Sequence, residues 1–146
     1  MKYFTLDWWN GIQELEGQDP LDTYDAYVKE YAGQIPEAYM KLYNEIYIHD
    51  GELREVDLDI KNRLLHLLIY AGDDKGSLRE VIIKYLGVTS YKSISDAKKG
   101  LPGTFGYGDL GYHEIEVMES EFEHRMLFSS GIELQVQFES MQLKYT

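Results

Sequence analysis

The chain has 146 residues, 44% of them hydrophobic and 14% aromatic, which supplies enough burial for a single core and excludes a disordered chain. It contains no cysteine, so disulfides, thiolate metal sites and cysteine nucleophiles are excluded and a reducing, cytoplasmic setting is expected. Its 26 acidic and 14 basic side chains give a formal charge of −12; that charge repels phosphate backbones and anionic lipid, so nucleic acid and membranes are not expected ligands and a basic partner is favoured.

The first residues, Met1 to Asp7, lack the apolar run of a signal peptide, and no stretch approaches the roughly 20 apolar residues of a membrane helix. Residues 1–49 hold 3 basic and 9 acidic side chains and residues 50–146 hold 11 and 17. Each part therefore carries −6, and no basic subdomain hides in the total.

Thr5 can cap a short helix running through Trp8, Ile12 and Leu15, which ends in the turn signal Gly17-Gln18-Asp19-Pro20. From Leu21 to Ile35 the positions Tyr24, Tyr27, Val28 and Tyr31 recur at three and four. Pro36 restarts the pattern with Tyr39, Met40, Tyr43, Ile46 and Tyr47, predicting two amphipathic helices with tyrosine-rich faces. These faces are expected to pack on a sheet, and any exposed part of the tyrosine stripe would suit docking.

After His49-Asp50-Gly51 the period changes to two. Val56, Leu58 and Ile60 form one face of a strand, with Asp57 and Asp59 on the other. Lys61-Asn62 connects to residues 63–70, apolar on both faces and so expected to be a central, two-sided strand. Residues 78–86 form a third strand. Residues 87–111 are rich in glycine and read as a long loop with a short helix near residues 95–99. Three more strands follow at 112–118, 122–128 and 132–138, with a hairpin turn at Ser129-Ser130-Gly131. Alternation slips after Ser140, which predicts a bulge or bend before the final segment. The expected fold is thus one α+β domain over residues 1–146: a helical part, 1–48, packed on a mainly antiparallel sheet of about six strands in 49–146.

Several motifs fail on context. Gly106-Tyr107-Gly108-Asp109-Leu110-Gly111 matches the dinucleotide fingerprint, but no strand enters it and a strand rather than a helix follows, so these are loop glycines. Residues 72–77 lack the Gly-Lys-Ser/Thr ending of a phosphate loop. His66 and His124 share strand faces with apolar residues and read as structural imidazoles, and His113 lacks a second histidine at zinc spacing. His49 and Asp50 form the most suggestive pair, because a carboxylate can orient an imidazole; a local clasp at the helix-to-sheet junction accounts for them. No cofactor, metal or catalytic set is expected.

Residues 113–123 contain Glu114, Glu116, Glu119, Glu121 and Glu123 and no lysine or arginine. Such alternation is normal for a solvated strand face, yet it also marks the place to look for contacts with a basic partner.

The opening Met1-Lys2-Tyr3-Phe4-Thr5, the junction Tyr47-Ile48-His49-Asp50-Gly51 and the segment from Glu123 to Leu134 resemble a family of small bacterial proteins of unknown function. Members of that family in turn resemble immunity proteins encoded beside polymorphic or contact-dependent toxins. The resemblance implies an α+β architecture and a non-enzymatic role in binding a basic toxin domain, and brings no catalytic residues. Two alternatives stand beside it: a small-molecule or metal-binding module using His49, Asp50 and a strand carboxylate, and a structural subunit that oligomerises through a sheet edge.

Overall fold

The computed structural model describes residues 1–11, 19–73, 75–95 and 106–146. Thr5 caps α1 (Leu6–Trp9), its Oγ1 accepting from the Trp8 N–H at 3.2 Å. The expected continuation through Ile12 and Leu15 lies outside the described residues. Asp19 caps α2 (Pro20–Tyr31) by accepting from the Leu21 N–H at 2.9 Å, with Pro20 in the first turn, where its missing N–H leaves no bond unmade. Pro36 interrupts the helical run and α3 follows (Glu37–Asn44). Tyr24 and Val28 of α2 and Tyr39 and Leu42 of α3 form the buried helical face.

Among the described residues eight strands make one antiparallel sheet: β1 (Gly51–Asp59), β2 (Leu64–Gly72), β3 (Leu78–Leu86), β4 (Ser90–Ile94), β5 (Asp109–Val117), β6 (Phe122–Phe128), β7 (Glu133–Phe138) and β8 (Ser140–Tyr145). Their order is β4-β7-β6-β5-β1-β2-β3-β8. The expected α+β class is found, but with eight strands in place of six and only short helices. The added strands are β4, inside the stretch read as loop, and β8, the segment beyond the expected bend. The short helix read near residues 95–99 falls almost entirely outside the described residues.

A corner in the chain makes residues 90–94 a strand. β3 runs on into β4 through Gly87, which has φ +67°, and β7 runs on into β8 through Glu139 alone. The Glu139 N–H donates to the Leu86 carbonyl (3.0 Å) and the Thr89 N–H to the Gln137 carbonyl (2.9 Å), so the ladder continues through the bend. Phe138 and Met141 are buried while Glu139 and Ser140 are exposed, which is the predicted slip of phase. The bend wraps both halves of the sheet around one core, which joins Leu65, Leu67 and Ile83 to Met126, Leu134 and Phe138. A Cβ on Gly87 would lie within 2.8 Å of the Glu139 side chain, in a backbone conformation that costs other residues energy. Gly87→Ala is therefore expected to destabilise the fold by about 1–2 kcal/mol in urea unfolding.

Two apolar faces differ from expectation. On β2, Leu65, Leu67 and Ile69 are fully buried, but Leu64, Leu68 and Tyr70 are half-exposed; the strand is central in the sheet and covered on one face. On β1, Val56 and Leu58 pair with Leu67 and Leu65 on the core side, yet are 39% and 36% exposed, and Ile60 is 81% exposed. The reason is local: β1 meets β5 only at Gly51–Leu110 and Glu52–Asp109.

That short contact also leaves the outer edge of β5 without a strand, and α2 occupies it instead. The Tyr24 hydroxyl accepts from the Ile115 N–H (2.7 Å) and the Tyr27 hydroxyl from the Val117 N–H (2.8 Å). Residues three apart on a helix share a face and alternate N–H groups of a strand share an edge, so the two spacings mesh. Among the described residues no helix is long and apolar enough to cross a membrane.

Candidate functional site

The five glutamates of the 113–123 stretch separate into different environments. Glu114 is fully buried and so cannot be the partner contact expected of it. Its carboxylate accepts from the backbone N–H groups of Lys2, Tyr3 (3.0 Å) and Phe4 (3.3 Å) and from Arg125 Nε at 2.8 Å. Glu116 and Glu123 each accept from Arg125 Nη1 at 2.9 Å. Burial opposes ionisation of Glu116, but the bond and charge of Arg125 outweigh it and hold the carboxyl below its ordinary range. Arg125 Nη2 is buried with no partner among the described residues. Lys2 approaches Glu116 at 3.6 Å, and the Met1 amine pairs with Glu133. Glu119 is exposed in the β5–β6 turn, and Glu121 accepts from Thr89 Oγ1 at 2.5 Å. Arg125, which the hairpin places directly opposite Glu114, thus engages three of the five glutamates.

His49 and Asp50 lie side by side where the chain enters β1. His49 Nδ1 meets the Gly111 carbonyl at 2.5 Å, and since a carbonyl only accepts, Nδ1 carries a hydrogen. Nε2 faces Asp50 Oδ1 at 3.4 Å. Asp50 sits at φ 60° and donates its N–H to the Leu110 carbonyl at 2.8 Å, turning the chain into β1. His66 is not buried: its side chain is 38% exposed, on the outward face 3.9 Å from Asp57.

His124 is fully buried and joins a relay. The Tyr85 hydroxyl lies 2.6 Å from His124 Nδ1, and His124 Nε2 lies 3.1 Å from His113 Nδ1. One tautomer assignment gives every internal hydrogen an acceptor: Tyr85 donates to His124, and His124 donates to His113. His113 then carries its hydrogen on Nε2, which has no partner among the described residues. Burial pushes His113 down to about 4 and, with the charges of His113 and Arg125, holds His124 well below its ordinary value, so both imidazoles are neutral near pH 7.

His113 and His49 line one cleft of about 300 Å³, at the small end of the range for ligand sites. Phe4, Leu42, Ile48 and Tyr112 supply its apolar wall. Leu21, 48% exposed, and Tyr47, 60% exposed, stand at its mouth. Burial raises the Tyr112 hydroxyl pKa, and the charges of Tyr47, Asp19 and Asp50 raise it further; Arg79 Nη2 donates to the Tyr47 carbonyl at 3.2 Å. A wider recess of about 610 Å³ lies beside Glu52 and Asp109, where no described side chain offers a buried polar group.

Of the residues expected to act, the cleft gathers His49, with Asp50 beside it; it does not gather the strand glutamates. Its mouth was legible only as the end of the tyrosine stripe: Tyr24 and Tyr39 are buried and Tyr47 is the exposed member. Gly111, part of the apparent dinucleotide motif, lies inside β5, where a Cβ would strike the Trp9 ring at 2.4–2.8 Å. Comparison of the chain with protein-family models, curated proteins and solved structures finds no match.

Proposed function

We propose that the protein is a non-enzymatic interaction domain that binds a basic protein partner in the cytoplasm, in the manner of an immunity protein neutralising a toxin domain. The observation that carries this is the cleft mouth, where the large side chains of Leu21 and Tyr47 stand in water on a strongly acidic protein. An apolar cleft on an acidic protein suits a basic surface that presents an aliphatic or aromatic anchor: burial of the anchor supplies affinity, and the net charge of −12 speeds encounter in a salt-dependent way. Glu119 and Glu121, at the β5–β6 turn, remain as secondary contacts, while Glu116 and Glu123 are engaged by Arg125.

The test is a titration against the protein encoded by the neighbouring reading frame. Tyr47→Ala is expected to weaken binding about 30-fold, the size of an interface hot spot, and raised salt is expected to slow association. Unchanged affinity in both Tyr47→Ala and Leu21→Ala would remove the cleft from the interface.

A second proposal is favoured by His113, whose Nε2–H is the donor that this residue can offer to the cleft it lines. In that case the cleft holds a small neutral molecule bearing a hydrogen-bond acceptor, in keeping with neutral imidazoles and an acidic surface.

A further inference from the structure

The outward face of β1-β2-β3-β8, away from the core, is graded across its four strands. β1 presents Glu55, Asp57 and Asp59. The middle strands present Leu64 and Leu68 of β2 and Ile82 and Leu86 of β3, all half-exposed. Positive charge comes from Lys84 of β3 and Lys144 of β8, on the far side from these acids, and from Arg54 of β1, which lies over the Tyr70 ring at 5.0 Å.

We infer that this face is a homodimer interface, in which two copies pack sheet on sheet about a two-fold axis lying between β2 and β3 and parallel to them. Such a rotation exchanges β1 with β8 and β2 with β3 while keeping each cross-strand row level. Every residue of β2 then lies over the partner copy's equivalent of its own β3 neighbour. The register makes these pairs compatible: Leu64 with Leu86, Leu68 with Ile82, and Tyr70 with Glu80. At the end of the row, Gly72 is paired with Leu78. Leu78 is 76% exposed, and the space where a Gly72 side chain would stand is open, so a protruding residue meets a vacancy on each side of the axis.

Charge selects this orientation. Glu55, Leu68, Ile82 and Lys144 form one row, so the two-fold sets Glu55 over the partner copy's Lys144 twice. An axis across the strands would instead set β1 acids over β1 acids. His66 over Lys84 is the one row without an attractive pair. Three strands of nine residues and one of six, about 4.8 Å apart and rising about 3.3 Å per residue, give roughly 1,000 Å² buried by the two copies together, at the lower limit for a specific interface. The dimer is therefore weak and concentration-dependent.

Sedimentation velocity on the full chain from about 10 µM to about 1 mM reads the equilibrium directly. Within one molecule Glu55 and Lys144 are about 14 Å apart across three strand spacings, too far for an ion pair, and both are exposed, so their reversal tests the contact between copies and not the fold. Glu55→Lys and Lys144→Glu are each expected to raise the dissociation constant at least about tenfold, because like charges then face each other at both symmetric contacts. Mixing the two variants in equal amounts is expected to restore dimers, since each mixed pair has opposite charges at both contacts. A chain that stays monomeric to about 1 mM, a dimer insensitive to both reversals, or a mixture that fails to recover would each overturn the inference, the first leaving this face to an occupant other than a second copy.

Discussion

Glu114→Ala is expected to lower folding stability by about 3–5 kcal/mol, the cost of leaving a buried charge without its partner. Glu114 is the hub between the N-terminal segment and β6: it receives three backbone N–H groups and Arg125 Nε. Alanine leaves those N–H groups bare and removes the Arg125 partner that sits deepest. Glu116 and Glu123 still hold Nη1, which keeps the loss below the full cost of an isolated guanidinium. Glu114→Gln retains an accepting oxygen but turns an N–H2 toward other donors, so it should fall between wild type and alanine. Urea unfolding at pH 7 measures both. A loss under about 1 kcal/mol in Glu114→Ala, the size of a single ordinary hydrogen bond, would mean that the hub does not organise the N-terminal segment.

The second large effect is acid lability set by histidines. In the unfolded chain His113 and His124 titrate near 6.5; in the fold burial holds His113 at about 4 and His124 well below its ordinary value. The unfolded state therefore binds protons that the native state refuses, and stability must fall as pH drops from about 6.5 toward 4. It is fully present above that window. A difference of about 2.5 units at His113 alone corresponds to about 3 kcal/mol by pH 4, and His124 adds to it. Glu116, whose pKa is lowered because Arg125 outweighs its burial, contributes stability above its unfolded value near 4.5 that disappears at still lower pH. The histidine window thus opens first. Urea midpoints between pH 7.5 and 4 should decline with a slope that His113→Phe reduces; a flat profile across that range would contradict neutral, buried imidazoles.

Helices α2 and α3, the β6–β7 hairpin and the slip of phase near Ser140 were legible because each is written in neighbouring residues: caps, prolines, turn residues and alternation. The corner was not. Gly87 looks like a loop glycine until Glu139 and Gln137 are placed across from it, so β4 is visible only as the continuation of a ladder whose other side lies about fifty residues on. Val56 and Leu58 misled for the opposite reason: their alternation is correct, but how far β5 extends alongside β1 decides their exposure, and that is a tertiary fact.

The candidate site was legible in fragments. His49 and Asp50 were identified together, and they lie 3.4 Å apart at the junction. The acidic stretch ended at Glu123, two residues before the arginine that engages three of its glutamates; charge counted along the chain cannot see a cation brought across by an antiparallel turn. His113 and His124 gave no sign of a relay with Tyr85, since their spacing of eleven residues acquires meaning only through the β5–β6 register.

The corner also sets an order of events during synthesis. β8 can close on β3 only after Ser140–Tyr145 has been made, although β3 itself is complete at Leu86. At about 5–20 residues per second the interval is on the order of 3–12 s. For that time Val81, Ile83 and Tyr85 lie along an open edge of a nascent sheet, and the chain is most exposed to trapping by other unfinished chains while its last strand is still in the ribosome.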